Sequence, residues 1–132
     1  MASKSILVAD DSETMRTAIR SIVGAMTDVT ICGEAKGGLD AIEKARELKP
    51  DLILLDLRMP QLNGVETCAI LKTMMPKVPV VLFTMYEDSI GPRLQSAVHI
   101  DVIVSKRTGF SQLVECIQKF LGPAPIVTAE AG

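Results

Sequence analysis

The sequence predicts an α/β fold, a doubly wound five-stranded parallel sheet with helices on both faces. Two observations predict it: five short apolar runs rich in branched residues recur along the chain, and an amphipathic stretch follows each of them. Consecutive apolar positions are typical of strands that are buried on both faces, as the strands of parallel sheets are. Right-handed crossovers between such strands place the intervening helices on both sides of the sheet.

The predicted strands each open one strand–helix unit. They lie at residues 6–9, 29–32, 52–55, 78–83 and 102–104. Pro50, Pro76 and Pro79 mark the ends of connections that lead into strands. We expect the strand order 2-1-3-4-5, in which the first and third strands are neighbours and ligands bind beyond the carboxyl ends of the strands.

The predicted helices follow the strands. The first one starts after Ser12, a favoured N-cap residue, and carries apolar residues at helical spacing over positions 15–26. The last one, at 110–121, has the same pattern and stops at Gly122-Pro123. Three helices with weaker periodicity lie between turn signals and the next strand, at residues 38–48, 64–75 and 87–98.

Composition limits the classes of protein to which the chain can belong. Its 132 residues suffice for one domain, placed at 1–121, and the proline-bearing segment 122–132 is expected to be a flexible tail or the start of a linker. A net charge of -2 argues against direct binding of nucleic acid. The apolar run before Asp10 is too short for a signal peptide or a membrane span, so we expect a cytoplasmic location without membrane contact.

Polar side chains follow the predicted strands at the point where each strand ends. Asp10 and Asp11 end the first run, Asp56 ends the third, Thr84 follows the fourth and Lys106 closely follows the fifth. Because the carboxyl ends of parallel strands meet at one edge of the sheet, we expect these side chains to share a crevice. Carboxylates held about 5 Å apart repel one another by roughly 3 kcal/mol, so such a group tends to recruit a cation.

The residue types at this edge point to phosphoryl transfer onto a carboxylate. Oxygen ligands that leave room for water favour Mg²⁺ over zinc. Lys106 adds a mobile positive charge and Thr84 adds a hydroxyl donor, while Asp56 stands alone at its strand end and is the best nucleophile.

At these residues the sequence resembles the receiver domain of two-component response regulators. The resemblance covers residues 5–121. It rests on Asp10-Asp11, Asp56-Leu57-Arg58-Met59-Pro60, Gly64, Thr84 and Lys106. It implies a flavodoxin-like (βα)5 fold and a signalling module that catalyses only its own phosphorylation and dephosphorylation.

The resemblance also implies roles for single residues. Asp56 would accept a phosphoryl group from a sensor histidine kinase or phosphotransfer protein. Asp11, Asp56 and the backbone carbonyl of Arg58 would bind Mg²⁺ directly, and Asp10 would act mainly through water. Thr84 and Lys106 would bind the phosphoryl oxygens. Switching would then remodel the surface that a downstream effector protein or domain, or a second copy in a homodimer, contacts.

Several positions depart from the family pattern or vary within it. Ile103 stands where the family usually has the aromatic switch residue, and Arg107 stands where a cis-proline often follows the lysine, which predicts a trans loop. Met85 replaces a small residue and is expected to cover part of the site. Arg58 and Tyr86 occupy positions that tune phosphoryl lifetime in the family, so we predict a long-lived phosphoryl group.

Three alternatives stay open. A magnesium-dependent phosphohydrolase usually carries its two acids one residue apart after the first strand, whereas Asp10 and Asp11 are adjacent. A receiver-like interaction scaffold that is never phosphorylated is compatible with Ile103 and Met85. The chain could also be the receiver part of a longer DNA-binding transcription regulator. His99, the single histidine, is interpreted as an exposed loop residue and not as a phosphodonor.

Overall fold

The computed structural model describes residues 3–122 and confirms the predicted fold class. Five parallel strands form one sheet in the order β2-β1-β3-β4-β5. The strands are β1 Lys4–Ala9, β2 Val29–Ala35, β3 Leu52–Leu55, β4 Val80–Thr84 and β5 Val102–Ser105. The predicted boundary between domain and tail cannot be compared with the structure beyond Gly122, since 123–132 lie outside the described residues.

Five helices alternate with the strands. They are α1 Glu13–Gly24, α2 Gly38–Leu48, α3 Gly64–Met74, α4 Pro92–Ala97 and α5 Ser111–Leu121. Ser12 caps α1 as predicted, because its side-chain oxygen accepts a hydrogen bond from the backbone N–H of Met15 at 3.2 Å. The side chain of Asn63 and that of Glu66 form a reciprocal capping box at the start of α3.

The predicted helix at 87–98 is wrong over its first half. The structure has a short 3₁₀ turn at Glu87–Ser89, and α4 begins only at Pro92. A proline ring disfavours helical backbone at the residue before it, and Gly91 is accordingly extended, with φ -83° and ψ 167°. Proline also suits the first helical position, so the helix starts there and has six residues.

The core lies on both faces of the sheet. Side chains alternate along β3, so that Ile53 and Leu55 pack with α2 and α3, while Leu52 and Leu54 pack with α1 and α5. Each of these four side chains is almost completely buried. Because helices pack on both faces of the sheet, the directions of β1 and β3 are fixed. The position at which each of these strands ends is therefore fixed as well.

Strand β2 extends further than predicted. Its register with β1 shifts between Ile6 and Leu7, which pair with Ile31 and Gly33 and leave Cys32 between them. The added residues carry Glu34 to a position opposite Val8, one residue before the end of β1.

Two further features follow from the described residues. Cys32, Cys68 and Cys116 are free. No helix within 3–122 combines the length and the hydropathy that crossing a membrane requires.

Candidate functional site

The three predicted acids meet at the carboxyl edge of the sheet. Asp10 and Asp11 follow β1, and Asp56 follows β3, the neighbour with which β1 pairs. The backbone N–H of Asp56 donates to the carbonyl of Ala9 at 2.9 Å, which continues the strand pairing up to the acids. One carboxylate oxygen from each residue lies within 4.8 Å of the others. We call these three residues the acidic cluster.

Two members of the acidic cluster are buried and one is exposed. Asp10 and Asp56 keep only 2% and 7% of their surface, whereas Asp11 faces solvent. Asp10 Oδ1 accepts from the Ser12 N–H at 2.9 Å, and Asp56 Oδ1 accepts from the Leu57 N–H at 2.8 Å. Burial raises the pKa of Asp56, although the charge of Lys106 opposes this shift.

Lys106 is the buried counter-charge of the acidic cluster. Its Nζ lies 2.7 Å from Asp10 Oδ2 and 3.4 Å from Asp56 Oδ2, and its side chain is 8% exposed. The aliphatic stem places the ammonium 5.8 Å from the ring centre of Phe83. The structure therefore brings Lys106 to the acids, as the sequence predicts.

Thr84 lies at the end of β4 and is completely buried. Its hydroxyl oxygen accepts a hydrogen bond from the Tyr86 N–H at 3.0 Å. Thr84 is close to the site in sequence and along the sheet edge, but its hydroxyl is engaged with the loop that follows β4. Thr84 does not line the cavity that the acids, Lys106, Met85 and Tyr86 share.

A cavity of about 420 Å³ opens above the acidic cluster. It is lined by all three acids, Ser12, Met15, Arg58, Met85, Tyr86 and Lys106. Met85 forms part of this wall and is 49% exposed. The Arg58 guanidinium lies 4.4 Å from the ring centre of Tyr86, and its Nη1 is 3.4 Å from the hydroxyl of that residue. Arg58 and Tyr86 therefore meet beside the acids, and Met85 borders the same space.

The start of α3 packs directly against the loop that carries Asp56. Gly64 donates its N–H to the carbonyl of Leu57 at 2.7 Å. A Cβ on Gly64 would come within 2.9 Å of Leu57 Cα, so this approach requires glycine. Gly64 therefore supports the loop that carries Asp56.

Two of the departures from the family pattern have defined surroundings. Ile103 is half-buried and packs against the core on the α2 and α3 side. Arg107 forms hydrogen-bonded ion pairs with Glu87, through Nε at 3.0 Å, and with Asp88, through Nη2 at 3.2 Å. The Ser105 hydroxyl and the Arg107 guanidinium lower the pKa of Glu87 to about 2. Within 3–122 every peptide bond is trans, which matches the expectation for the loop after Lys106.

Sequence reasoning missed a buried arginine beneath the acidic cluster. Arg16 is 7% exposed, and its Nη1 donates to the backbone carbonyl of Asp10 at 2.7 Å. Its spacing was a usable signal, because Arg16 lies three residues before Ile19 and seven before Val23, on the buried face of α1. By contrast, His99 is exposed and lies far along the chain from the acids, as predicted.

The donor set of the acidic cluster fits Mg²⁺. All the candidate ligands are oxygen atoms, two of the acids are held by backbone hydrogen bonds, and the exposed Asp11 leaves the cavity side open to water. Mg²⁺ prefers few carboxylates together with several waters, whereas zinc prefers nitrogen or sulfur ligands. The site can thus concentrate negative charge, hold a hard cation and present a carboxylate to an incoming phosphoryl group.

Comparison with known proteins supports the same reading of the site. Residues 6–118 match the family model of the response regulator receiver domain. The chain is 39% identical over 127 residues to the response regulator protein VraR of Staphylococcus saprophyticus, covering 95% of this chain and 60% of that protein. It is 37% identical over 116 residues to VraR of Staphylococcus epidermidis, covering 86% and 54%. The chain therefore spans a little over half the length of these curated relatives.

Solved structures show the same fold. The response regulator domain of Thermotoga maritima CheB superposes with a TM-score of 0.82 at 28% identity, covering 93% of this chain and 99% of that one. The response regulator protein TrrA of Thermotoga maritima, solved in complex with Mg(2+)-BeF, gives a TM-score of 0.81 at 27% identity, covering 89% and 99%. The second of these is a similar protein whose structure contains the metal that the acidic cluster fits.

Proposed function

Because this chain belongs to the response regulator receiver family, we propose that it accepts a phosphoryl group on Asp56 from a sensor histidine kinase or phosphotransfer protein. The family is a class of signalling modules, not of classical enzymes, and its membership implies a histidine kinase as partner. The observation that carries the proposal is the placement of the Asp56 carboxylate in one cavity with two further acids and a buried lysine.

In the proposed reaction a carboxylate oxygen of Asp56 attacks the phosphorus of a phosphohistidine. The new O–P bond forms as the P–N bond to the histidine breaks, and the leaving imidazole keeps the bonding electron pair and takes up a proton. No strong base is needed, because the buried carboxylate is already the nucleophile. The chain would therefore catalyse only its own phosphorylation and the later hydrolysis of the aspartyl phosphate.

Asp11, Asp56 and the backbone carbonyl of Arg58 would hold Mg²⁺ directly and Asp10 mainly through water, and the bound ion would supply neutralisation of charge on the transferring phosphoryl oxygens. Lys106 is in place to bind the same phosphoryl oxygens. Its ammonium lies between two of the acids and can exchange one carboxylate for a phosphoryl oxygen. Thr84 is completely buried and does not line the cavity, so its side chain would have to move before the hydroxyl could donate to the same group, and this movement would break the hydrogen bond that it accepts from the Tyr86 N–H.

This movement of Thr84 suggests how the signal leaves the site. Breaking the hydrogen bond between Thr84 and Tyr86 would free the start of the segment that joins β4 to α4. A downstream effector would then recognise the altered surface. We place this activity in the cytoplasm, with no membrane contact and no direct binding of nucleic acid by this chain.

Mass spectrometry after incubation with acetyl phosphate and Mg²⁺ tests the proposal. We expect a mass increase of one phosphoryl group in the wild-type chain, its loss with a chelator, and its absence in Asp56→Asn. Asp40→Asn is a matched control, because Asp40 forms an exposed ion pair with Lys44 on α2. No mass increase with any phosphodonor would favour the unphosphorylated scaffold, and turnover of a phosphate ester would favour the phosphohydrolase.

A second proposal concerns the length of the natural protein. Since the chain covers 60% of VraR of Staphylococcus saprophyticus, it could be the receiver part of a longer regulator. A solved structure that resembles this chain at 26% identity, with a TM-score of 0.79, is described as a DNA-binding response regulator from Staphylococcus aureus. Sequencing the reading frame past Gly132 decides between a single-domain regulator and one with an added DNA-binding domain.

A further inference from the structure

The acidic cluster rests on a charged network that the phosphoryl-transfer scheme does not use. Arg16 of α1 is buried, and its guanidinium makes two different contacts. Nη1 donates to the carbonyl oxygen of Asp10 at 2.7 Å, and Nε donates to Glu34 Oε1 at 3.2 Å. Burying an arginine is costly unless all its contacts are favourable, so this placement needs a reason.

The carbonyl that Arg16 holds belongs to the peptide bond between Asp10 and Asp11. Fixing this oxygen fixes the plane of that peptide, and the plane sets the direction in which both side chains leave the backbone. The Asp10 side chain has further restraints from Ser12 and Lys106. The Asp11 side chain is exposed, so the backbone sets the direction in which its Cα–Cβ bond leaves the chain, and with it the positions that its carboxylate can reach.

Glu34 holds the other end of the Arg16 guanidinium. Its carboxylate also accepts hydrogen bonds from Arg20, at 2.7 Å from Nε and 2.9 Å from Nη2. These two arginines, Arg20 first, lower the pKa of Glu34 and keep it charged. Arg16 therefore lies between the Glu34 carboxylate on β2 and the Asp10–Asp11 peptide, whereas Arg20 is exposed and pairs with Glu34.

We propose that Arg16 is a positioning residue for the metal site, which orients the Asp10–Asp11 peptide so that both carboxylates can hold Mg²⁺. This inference rests on the proposed function. The positioning role and simple electrostatics predict opposite changes in Mg²⁺ affinity when Arg16 is replaced. Removing a positive charge near a cation site should tighten Mg²⁺ binding, whereas loss of the positioning contact should weaken it.

Mg²⁺ titration by calorimetry, on the wild-type chain and on Arg16→Gln, tests the inference. A hydrogen bond from a charged donor is commonly strong enough for about a tenfold change in an equilibrium constant. We expect Arg16→Gln to bind Mg²⁺ about tenfold more weakly, and Arg20→Gln, the matched control, to stay within about twofold of the wild type. Mg²⁺ affinity in Arg16→Gln equal to or tighter than that of the wild type overturns the inference.

Two further measurements separate positioning from general stabilisation. The amide resonance of Asp11 in the metal-free protein should shift in Arg16→Gln and not in Arg20→Gln, because that amide shares the held peptide. In phosphorylation by acetyl phosphate, Arg16→Gln should raise the Mg²⁺ concentration at half-maximal rate far more than it lowers the rate at saturating Mg²⁺. A uniform loss of rate at every Mg²⁺ concentration contradicts the positioning role.

Arg16→Lys decides the matter if Arg16→Gln does not fold. One ammonium cannot reproduce both contacts of the guanidinium fork, so we expect about a threefold loss of Mg²⁺ affinity together with a shifted Asp11 amide. Unchanged affinity in a folded Arg16→Lys variant overturns the inference. A wild-type chain that binds no Mg²⁺ would instead contradict the proposed function itself.

Discussion

Two halves of the same sheet edge are built in different ways. The acidic cluster and Lys106 are held by strand pairing, backbone hydrogen bonds and a buried lysine, and Asp10 keeps only 2% of its surface. The β4–α4 segment, residues 85–91, is followed by a helix of six residues with none of them buried. Met85 and Tyr86 at its start are 49% and 41% exposed.

The difference shows where rigidity and movement are useful in a site of this kind. A cation and a nucleophile need fixed geometry, because small displacements of ligands or of the attacking atom are costly. An output surface needs two arrangements of similar free energy, which exposed segments with few buried side chains can supply. We expect changes in the first half to alter binding and stability, and changes in the second to alter lifetime and switching.

The largest predicted effect concerns Lys106, which belongs to the first half, and its neighbour Arg107, whose ion pairs are with Glu87 and Asp88 of the second half. Lys106→Met leaves Asp10 and Asp56 buried without their counter-charge, and we expect it to lower the free energy of unfolding by about 3 kcal/mol without Mg²⁺. Urea unfolding of the metal-free protein measures this. Arg107→Met is the control and should change stability far less, since its ion pairs are exposed.

Added Mg²⁺ provides a second test of the prediction for Lys106→Met. The cation can replace the missing positive charge between the carboxylates, so it should reduce the difference in stability between Lys106→Met and the wild type. Equal destabilisation by both substitutions would contradict the division into a buried and an exposed half.

A smaller effect is predicted at Met85, in the exposed half. We expect the aspartyl phosphate of the wild-type chain to persist for minutes or longer, because Met85 lines the cavity and its side chain would restrict access of the attacking water. Met85→Ala should shorten the lifetime several-fold and leave the fold intact. Loss of phosphoprotein after removal of the donor, followed by mass spectrometry, measures both lifetimes.

Leu94→Ala is the matched control for Met85, because Leu94 is a similarly exposed apolar residue on α4 that does not line the cavity above the acids. Its phosphoryl lifetime should equal that of the wild type. A wild-type half-life of seconds would contradict the prediction.

The smallest predicted effect is a pH dependence at Glu87, which ties the β4–α4 segment to Arg107. Its pKa is lowered from 4.5 to about 2, so its contribution to stability is complete above the ordinary carboxyl range and is lost as pH falls through that lower value. The small difference in unfolding free energy between wild type and Glu87→Gln should therefore be present at pH 7 and shrink on acidification. A difference that grows at low pH would have the wrong sign.

Much of the fold and of the site could be predicted from local patterns. Apolar runs mark the strands whether or not their partners are known, and polar residues directly after a run are placed at a sheet edge by the strand itself. This is why Asp10, Asp11 and Asp56 could be assigned to one crevice before any contact was seen. The helix predicted at 87–98 failed for a local reason too, because Pro92 disfavours helical backbone at Gly91.

Other features depend on contacts between distant parts of the chain. Residues 33–35, which lie beyond the shifted register at Cys32, became part of β2 only through pairing with β1. In the sequence Arg16 is one charge among the apolar residues of α1. Its two partners, Glu34 and the Asp10 carbonyl, depend on the packing of α1 against β2 and the end of β1.

The sequence by itself determined the order of strands and helices, the carboxyl edge as the place of the site, and the identity of its acids. Only the tertiary structure decided which charges meet: Lys106 with Asp10, 96 positions away, and Arg16 with the Asp10 carbonyl and Glu34. The physical reason is the distance along the chain over which each kind of interaction acts. Strand burial and capping act over a few neighbouring residues, whereas the pairing of a buried charge is set by how whole elements pack, which no local pattern encodes.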